Sequence, residues 1–162
     1  MSNILIFGNS GSGKSTLAKE LCSPGILAHL DLDTLAWKPV SPPERMPLEE
    51  SAKKIDEFLS SNQDWVIEGC YTDLLEKVVS KSTEMIFMNL PVETCKTNAR
   101  NRPWEPHKYK SKEAQDANLE MLIDWIAQYT DRNDSFSLAS HEELYTKYTG
   151  KKKTYVSNKR NT

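Results

Sequence analysis

Residues 8 to 16 read Gly8-Asn9-Ser10-Gly11-Ser12-Gly13-Lys14-Ser15-Thr16, the G-x-x-x-x-G-K-S spacing of a phosphate-binding P-loop. The chemistry of such a spacing follows from the backbone. Glycines let successive N–H groups converge on a polyphosphate, and a helix starting at the end of the loop adds the partial positive charge of its N-terminus. Lys14 is placed to reach the β- and γ-phosphates of ATP, and the Ser15 hydroxyl to ligate Mg²⁺.

The other candidates are carboxylates and cations. Asp31 and Asp33 end an apolar run, Ile26 to Leu30. In an extended chain alternate residues share one side. Two carboxylates at the carboxyl end of a strand can hold a metal-bound water and take a proton from an acceptor hydroxyl. An Asp there equally starts the next turn as a cap. Glu68 and Gly69 end a second run, Trp65 to Ile67. Glu68 is a candidate acid/base or hydroxyl-binding group, or a rim carboxylate. Gly69 permits close backbone approach, whether by an acceptor or in a tight turn. Arg45 lies in the proline-rich stretch 37–47, as an anchor for an anionic acceptor or as a solvated side chain. Arg100 precedes and Arg102 lies within 101–112, which is basic, interrupted by Pro103 and Pro106, and without periodicity. Such a loop in a compact domain reads as a lid that closes over ATP, excludes water and stabilises developing charge. It also reads as a solvated loop or, through Trp104 and Tyr109, as a nucleic-acid contact. Arg132, just past the next helix, is a further candidate for the phosphates.

The elements that must position these groups follow from pattern. Ile4 to Phe7 is a strand and Thr16 to Leu21 a helix, the context a P-loop requires. Leu48, Ala52, Ile55 and Leu59 repeat at helical spacing, and Leu74, Leu75, Val78 and Val79 mark a short helix. Glu84 to Leu90 is a continuous apolar run, as in a central strand covered on both faces. Pro91 opens a helix. From Glu113 to Tyr129, Leu119, Leu122 and Ile126 form one stripe, with Met121, Trp125 and Tyr129 beside it. A last helix carries His141, read as a surface or capping residue. Lys151 to Lys153 are solvated and precede a final strand at 154–157, after which the chain falls near an adenine by position. Five strands separated by helices predict a three-layer α/β domain over 1–162, doubly wound on a five-stranded parallel sheet.

The whole chain sets bounds. It has 162 residues, with 21 basic and 23 acidic side chains for a net charge of −2, so no basic excess argues for nucleic acid. Cys22, Cys70 and Cys95 are far apart, without metal or redox spacing, and read as small buried residues of a reduced, intracellular protein. No apolar run spans a membrane, and the chain enters its first strand without a charged leader. A cytoplasmic monomer or weak dimer is expected.

These motifs resemble the P-loop kinases of the nucleoside monophosphate kinase and shikimate kinase group, on Gly8 to Thr16, Asp31-x-Asp33, Glu68-Gly69 and the arginine-bearing segment. Most similar are the adenylate-kinase-like bacterial DNA topology modulation proteins, on residues 32–39 and 65–71. The resemblance implies transfer of the γ-phosphoryl group of ATP, with Mg²⁺, to a small-molecule acceptor. It implies Asp31 near the metal, Asp33 on the acceptor hydroxyl, and Arg100, Arg102 and Arg132 neutralising transition-state charge. Two departures matter. Gly69-Cys70-Tyr71 stands where shikimate kinases carry a run of glycines, which argues against shikimate. Strand four ends in Asn89 rather than an aspartate, which argues against a motor ATPase or GTPase and leaves the metal to Ser15 and Asp31. The alternative is an ATP-binding regulator that acts on DNA and has no small-molecule acceptor.

Overall fold

A computed structural model describes residues 2–23, 25, 27–40 and 44–159. Strand β1 (Asn3–Gly8) runs into the P-loop and helix α1 (Lys14–Cys22). Then follow β2 (Ala28–Asp31), α2 (Asp33–Ala36), α3 (Leu48–Ser61), β3 (Trp65–Gly69) and α4 (Thr72–Leu75). After a 3₁₀ turn at Val79–Lys81 come β4 (Glu84–Met88), α5 (Val92–Arg100), α6 (Lys112–Ala127), α7 (Leu138–Lys147) and β5 (Lys151–Tyr155). All strand pairings are parallel, in the order β2-β3-β1-β4-β5. This is the expected doubly wound α/β sheet.

The P-loop strand lies at the centre of the sheet and is buried along its length. Alternation divides its side chains between two cores. Leu5 and Phe7 pack with Ile55, Leu74 and Leu144 beneath α3, α4 and α7. Ile4 and Ile6 pack with Leu17, Cys95 and Ile126 beneath α1, α5 and α6. Each such fully buried side chain contributes about 2 kcal/mol, so the loop grows from a strand anchored on both faces.

Several expectations are corrected. Ile26, placed in the second strand, lies outside the described residues, as do Pro24 and residues 41–43 of the proline-rich stretch. Asp33 does not continue β2: the chain turns helical at Leu32, and the Asp33 N–H donates to Asp31 Oδ1 at 2.9 Å. A tight turn, not strand alternation, therefore brings the two carboxylates together. β5 begins at Lys151 rather than Thr154, because an edge strand tolerates lysines whose charges reach solvent or Glu84. On α6 the expected stripe of Leu119, Leu122 and Ile126 does pack against the core, joined by Ile123, but Met121 beside it is exposed. His141 is fully buried rather than at the surface. Among the described residues, no helix is long and apolar enough to cross a membrane.

Candidate active site

The carboxyl ends of β1, β2 and β3 and the segment between α5 and α6 enclose a cleft of about 500 Å³. Larger depressions, of about 840 and 890 Å³, lie beside α4 and α7 and beside α3. Neither touches the P-loop, so size does not locate the chemistry. The cleft is lined by Ser10, Gly11, Gly13, Lys14, Ser15 and Thr16, by Asp33 and Glu68, and by Asn98, Arg102, Lys108 and Asn158 among others.

The loop's shape is set by Gly11 and Gly13, at φ of +79° and +91°, a region that side chains other than glycine rarely adopt. Lys14 Nζ donates to Asn9 O at 2.8 Å, folding the lysine over its own loop. Asn9 and Ser12 are buried below the loop, not in the cleft. The Asn9 amide donates to Ile126 O of α6 at 3.2 Å.

Ser15 Oγ donates to Glu68 Oε2 at 2.7 Å, and His29 Nε2 lies 3.0 Å from the same oxygen. Glu68 is 1% exposed. The acidic residue beside the P-loop serine therefore comes from β3. Asn89 follows β4, on the other side of β1, and its N–H donates to Tyr155 O. The carboxylate sought at the end of strand four stands on β3 instead, which flanks β1 on the side opposite β4.

Lys108 joins the two aspartates. Its ammonium lies 2.8 Å from Asp33 Oδ2, 3.3 Å from Asp31 Oδ2 and 3.6 Å from Glu105 Oε2. Burial alone would lower the Lys108 pKa, but Asp33, Asp31 and Glu105 outweigh it and hold it above the usual lysine value. Burial also acts to raise Asp33, yet Lys108 and the Tyr71 hydroxyl prevail and keep it below the ordinary carboxylate value. Asp31 goes the other way, to about 6, through burial first and then repulsion from Glu68 and Asp33. Tyr71 donates its hydroxyl to Asp33 Oδ1 and accepts from Trp37 Nε1 at 2.7 Å. One Asp33 oxygen is thus fixed by an aromatic chain, and the other faces Lys108 of the segment between α5 and α6.

The cleft brings together the P-loop, Asp33, Glu68 and Arg102, with Asp31 joined to them through Lys108. Arg102 pairs with Glu105 at 3.3 Å. Arg100 is exposed on the last turn of α5 and does not line the cleft. Arg132 is held elsewhere, its guanidinium 3.7 Å from the centre of the Trp125 ring and bonded to Asp134 at 2.8 Å. Arg45 pairs with Asp73 at 3.1 Å and lies over the Tyr71 ring, behind the residue that holds Asp33. The space a side chain would take at Gly69 is filled by Leu32, at 2.9 Å. Sequence reasoning missed Lys108, Tyr71 and His29. The only signal for Lys108 was the basic character of its segment.

No protein-family model and no curated protein matches the chain. Among solved structures it is similar to deoxyadenosine kinase from M. mycoides with bound dATP, at 13% identity and a TM-score of 0.52, over 97% of this chain and 92% of that one. It is also similar to the Thermus thermophilus protein TT1252, at 17% identity and a TM-score of 0.53, over 96% and 88%. At these identities the likeness establishes the fold alone, the doubly wound parallel α/β sheet.

Proposed function

We propose that the protein transfers the γ-phosphoryl group of ATP to a hydroxyl of a small-molecule acceptor. The observation that carries this reading is one cleft holding a P-loop lysine and serine together with a half-buried aspartate whose Oδ2 meets Lys108. Gly8 to Thr16, through the loop N–H groups and Lys14, hold the triphosphate. Ser15, with Glu68 behind it and Asp31 next to Glu68 on the neighbouring strand, would hold a Mg²⁺ ion, which would supply neutralisation of phosphate charge. Asp33 orients the acceptor hydroxyl and takes its proton as the new P–O bond forms; the bond from the γ-phosphorus to the bridging oxygen breaks, and ADP leaves. Lys108 must first release Asp33 Oδ2. With Arg102, it is then the cation that the lid brings to the transferring group. Arg100 and Arg132 do not line the cleft and receive no role.

The DNA-regulator reading draws less support from the lysine triplet, since Lys151 and Lys153 lie within 4 Å of Glu84 and Lys152 packs over Tyr145. The test of the kinase reading is ATP consumption by the full chain against a panel of hydroxyl and monophosphate acceptors. At least one acceptor should stimulate ADP formation, and Lys14→Ala should abolish it with an unchanged circular dichroism spectrum. Undiminished consumption in Lys14→Ala overturns the assignment.

A further inference from the structure

Three side-chain amides hold the P-loop, and two of them reach it from other segments. Asn98, on α5, donates from Nδ2 to Gly11 O at 2.8 Å and to Asn158 Oδ1 at 2.8 Å. Asn158, beyond β5, donates from Nδ2 to Ser12 O at 3.1 Å. A backbone carbonyl only accepts, so both amide orientations are fixed by their partners. Both protons of Asn98 Nδ2 are committed.

We propose that Asn98 and Asn158 form a clamp that presets the phosphate loop, and that it acts on any polyphosphate whatever base is attached. In a trans peptide the C=O and N–H point in opposite directions. Drawing Ser12 O toward Asn158 turns the Gly13 N–H away from the clamp. Drawing Gly11 O toward Asn98 fixes the plane whose N–H, that of Ser12, closes on Asn9 O at 3.2 Å. The seat is tight. A Cβ at Gly11 would stand 2.3 Å from Cys95 O, and one at Gly13 would stand 2.5 Å from Asn158 Nδ2. Cys95 and Asn98 are three apart, on one face of α5. A loop with two glycines in the left-handed region has wide freedom unless held, and a ligand that must order it loses affinity. The clamp removes that loss in advance. Asn98 and Asn158 are positioning residues, and their role rests on reading Gly8 to Thr16 as a polyphosphate cradle.

Near-isosteric apolar variants, Asn158→Leu and Asn98→Leu, provide the test. Calorimetric affinities are measured on the full chain for ATP, GTP and inorganic tripolyphosphate, with hydrogen exchange at 11–14 in the ligand-free protein. Each variant should bind all the ligands that the wild type binds about tenfold more weakly, by a common factor, and the loop amides should exchange faster. Unchanged affinity with a lowered melting temperature overturns the clamp. So does a loss confined to ATP, which would make the asparagines readers of the base. Should the wild type bind none of the three, the nucleotide reading fails by itself. The clamp is then judged on ligand-free exchange: faster in the variants supports it, unchanged overturns it.

Discussion

Asp33 has two oxygens with opposite uses. Oδ1 accepts the Tyr71 hydroxyl, and Oδ2 meets Lys108. While Lys108 stays, the carboxylate is a weak base. In the proposed reaction Lys108 leaves as a hydroxyl arrives, and burial then raises the affinity of Asp33 for a proton. Asp33→Asn should therefore leave ATP affinity within about twofold and reduce acceptor-dependent ADP formation by roughly 10²- to 10⁴-fold, the range for a general base. Calorimetry and a coupled ADP assay check the two halves, and an active variant removes Asp33 from the acceptor role. Much at this scale could be read from spacing. The P-loop is a local pattern, and the carboxylates sit where strands end. Their partners could not be read. Tyr71 reaches Asp33 across 38 positions and Lys108 across 75. Arg132 was misplaced because a local trap, the Trp125 ring and the Asp134 carboxylate, captures it before it reaches the cleft.

The segment between α5 and α6 behaves as an element although its backbone lacks regular structure. Gln115 of α6 holds Glu105 N–H at 2.8 Å and Pro103 O at 3.1 Å, and Asn118 donates to the Tyr109 hydroxyl at 2.8 Å. One side is therefore anchored to α6, and Lys108 is the latch on the other. Lys108→Met keeps most of the side chain's volume and removes its charge. Backbone amides at 105–110 should then exchange at least about tenfold faster, as expected for local opening. Those of 117–126 should be unchanged. Equal protection in both proteins means that packing, not the latch, closes the lid. That this segment lacks helix and strand was legible from its prolines and lack of period. Which cation latches it was not, because periodicity orders residues only within helices and strands.

Across the whole molecule, the burial that shapes the sheet also places two titrating groups in opposition. His141 is given by helical periodicity alone as a surface or capping residue, because periodicity does not show what lies across the interface. It packs edge-on to Phe7, 5.5 Å between ring centres, inside the core under α7. Its Nε2 lies 2.9 Å from Cys70 O, which only accepts, so Nε2 carries the proton and Nδ1 accepts from the Tyr129 hydroxyl at 2.7 Å. Burial lowers its pKa from 6.5 to about 4. The unfolded chain then takes the proton first as pH falls, so the stability tied to neutral His141 is full above about 6.5 and is lost toward pH 4. Asp31, raised by burial to about 6, has the reverse sign. The folded state takes its proton first, so stability falls as pH rises from about 4 to 6. Each effect is at most about 3 kcal/mol, and over pH 4.5–6.5 they largely cancel in the wild type. Separating them requires one variant for each. Urea midpoints at pH 4.5, 5.5 and 6.5 should rise more steeply with pH in Asp31→Asn than in the wild type, because His141 then acts unopposed. In His141→Gln, whose amide can still donate to Cys70 O, the midpoints should fall with rising pH. Parallel profiles in all three proteins would mean that neither group carries its proton differently in the folded and unfolded chain.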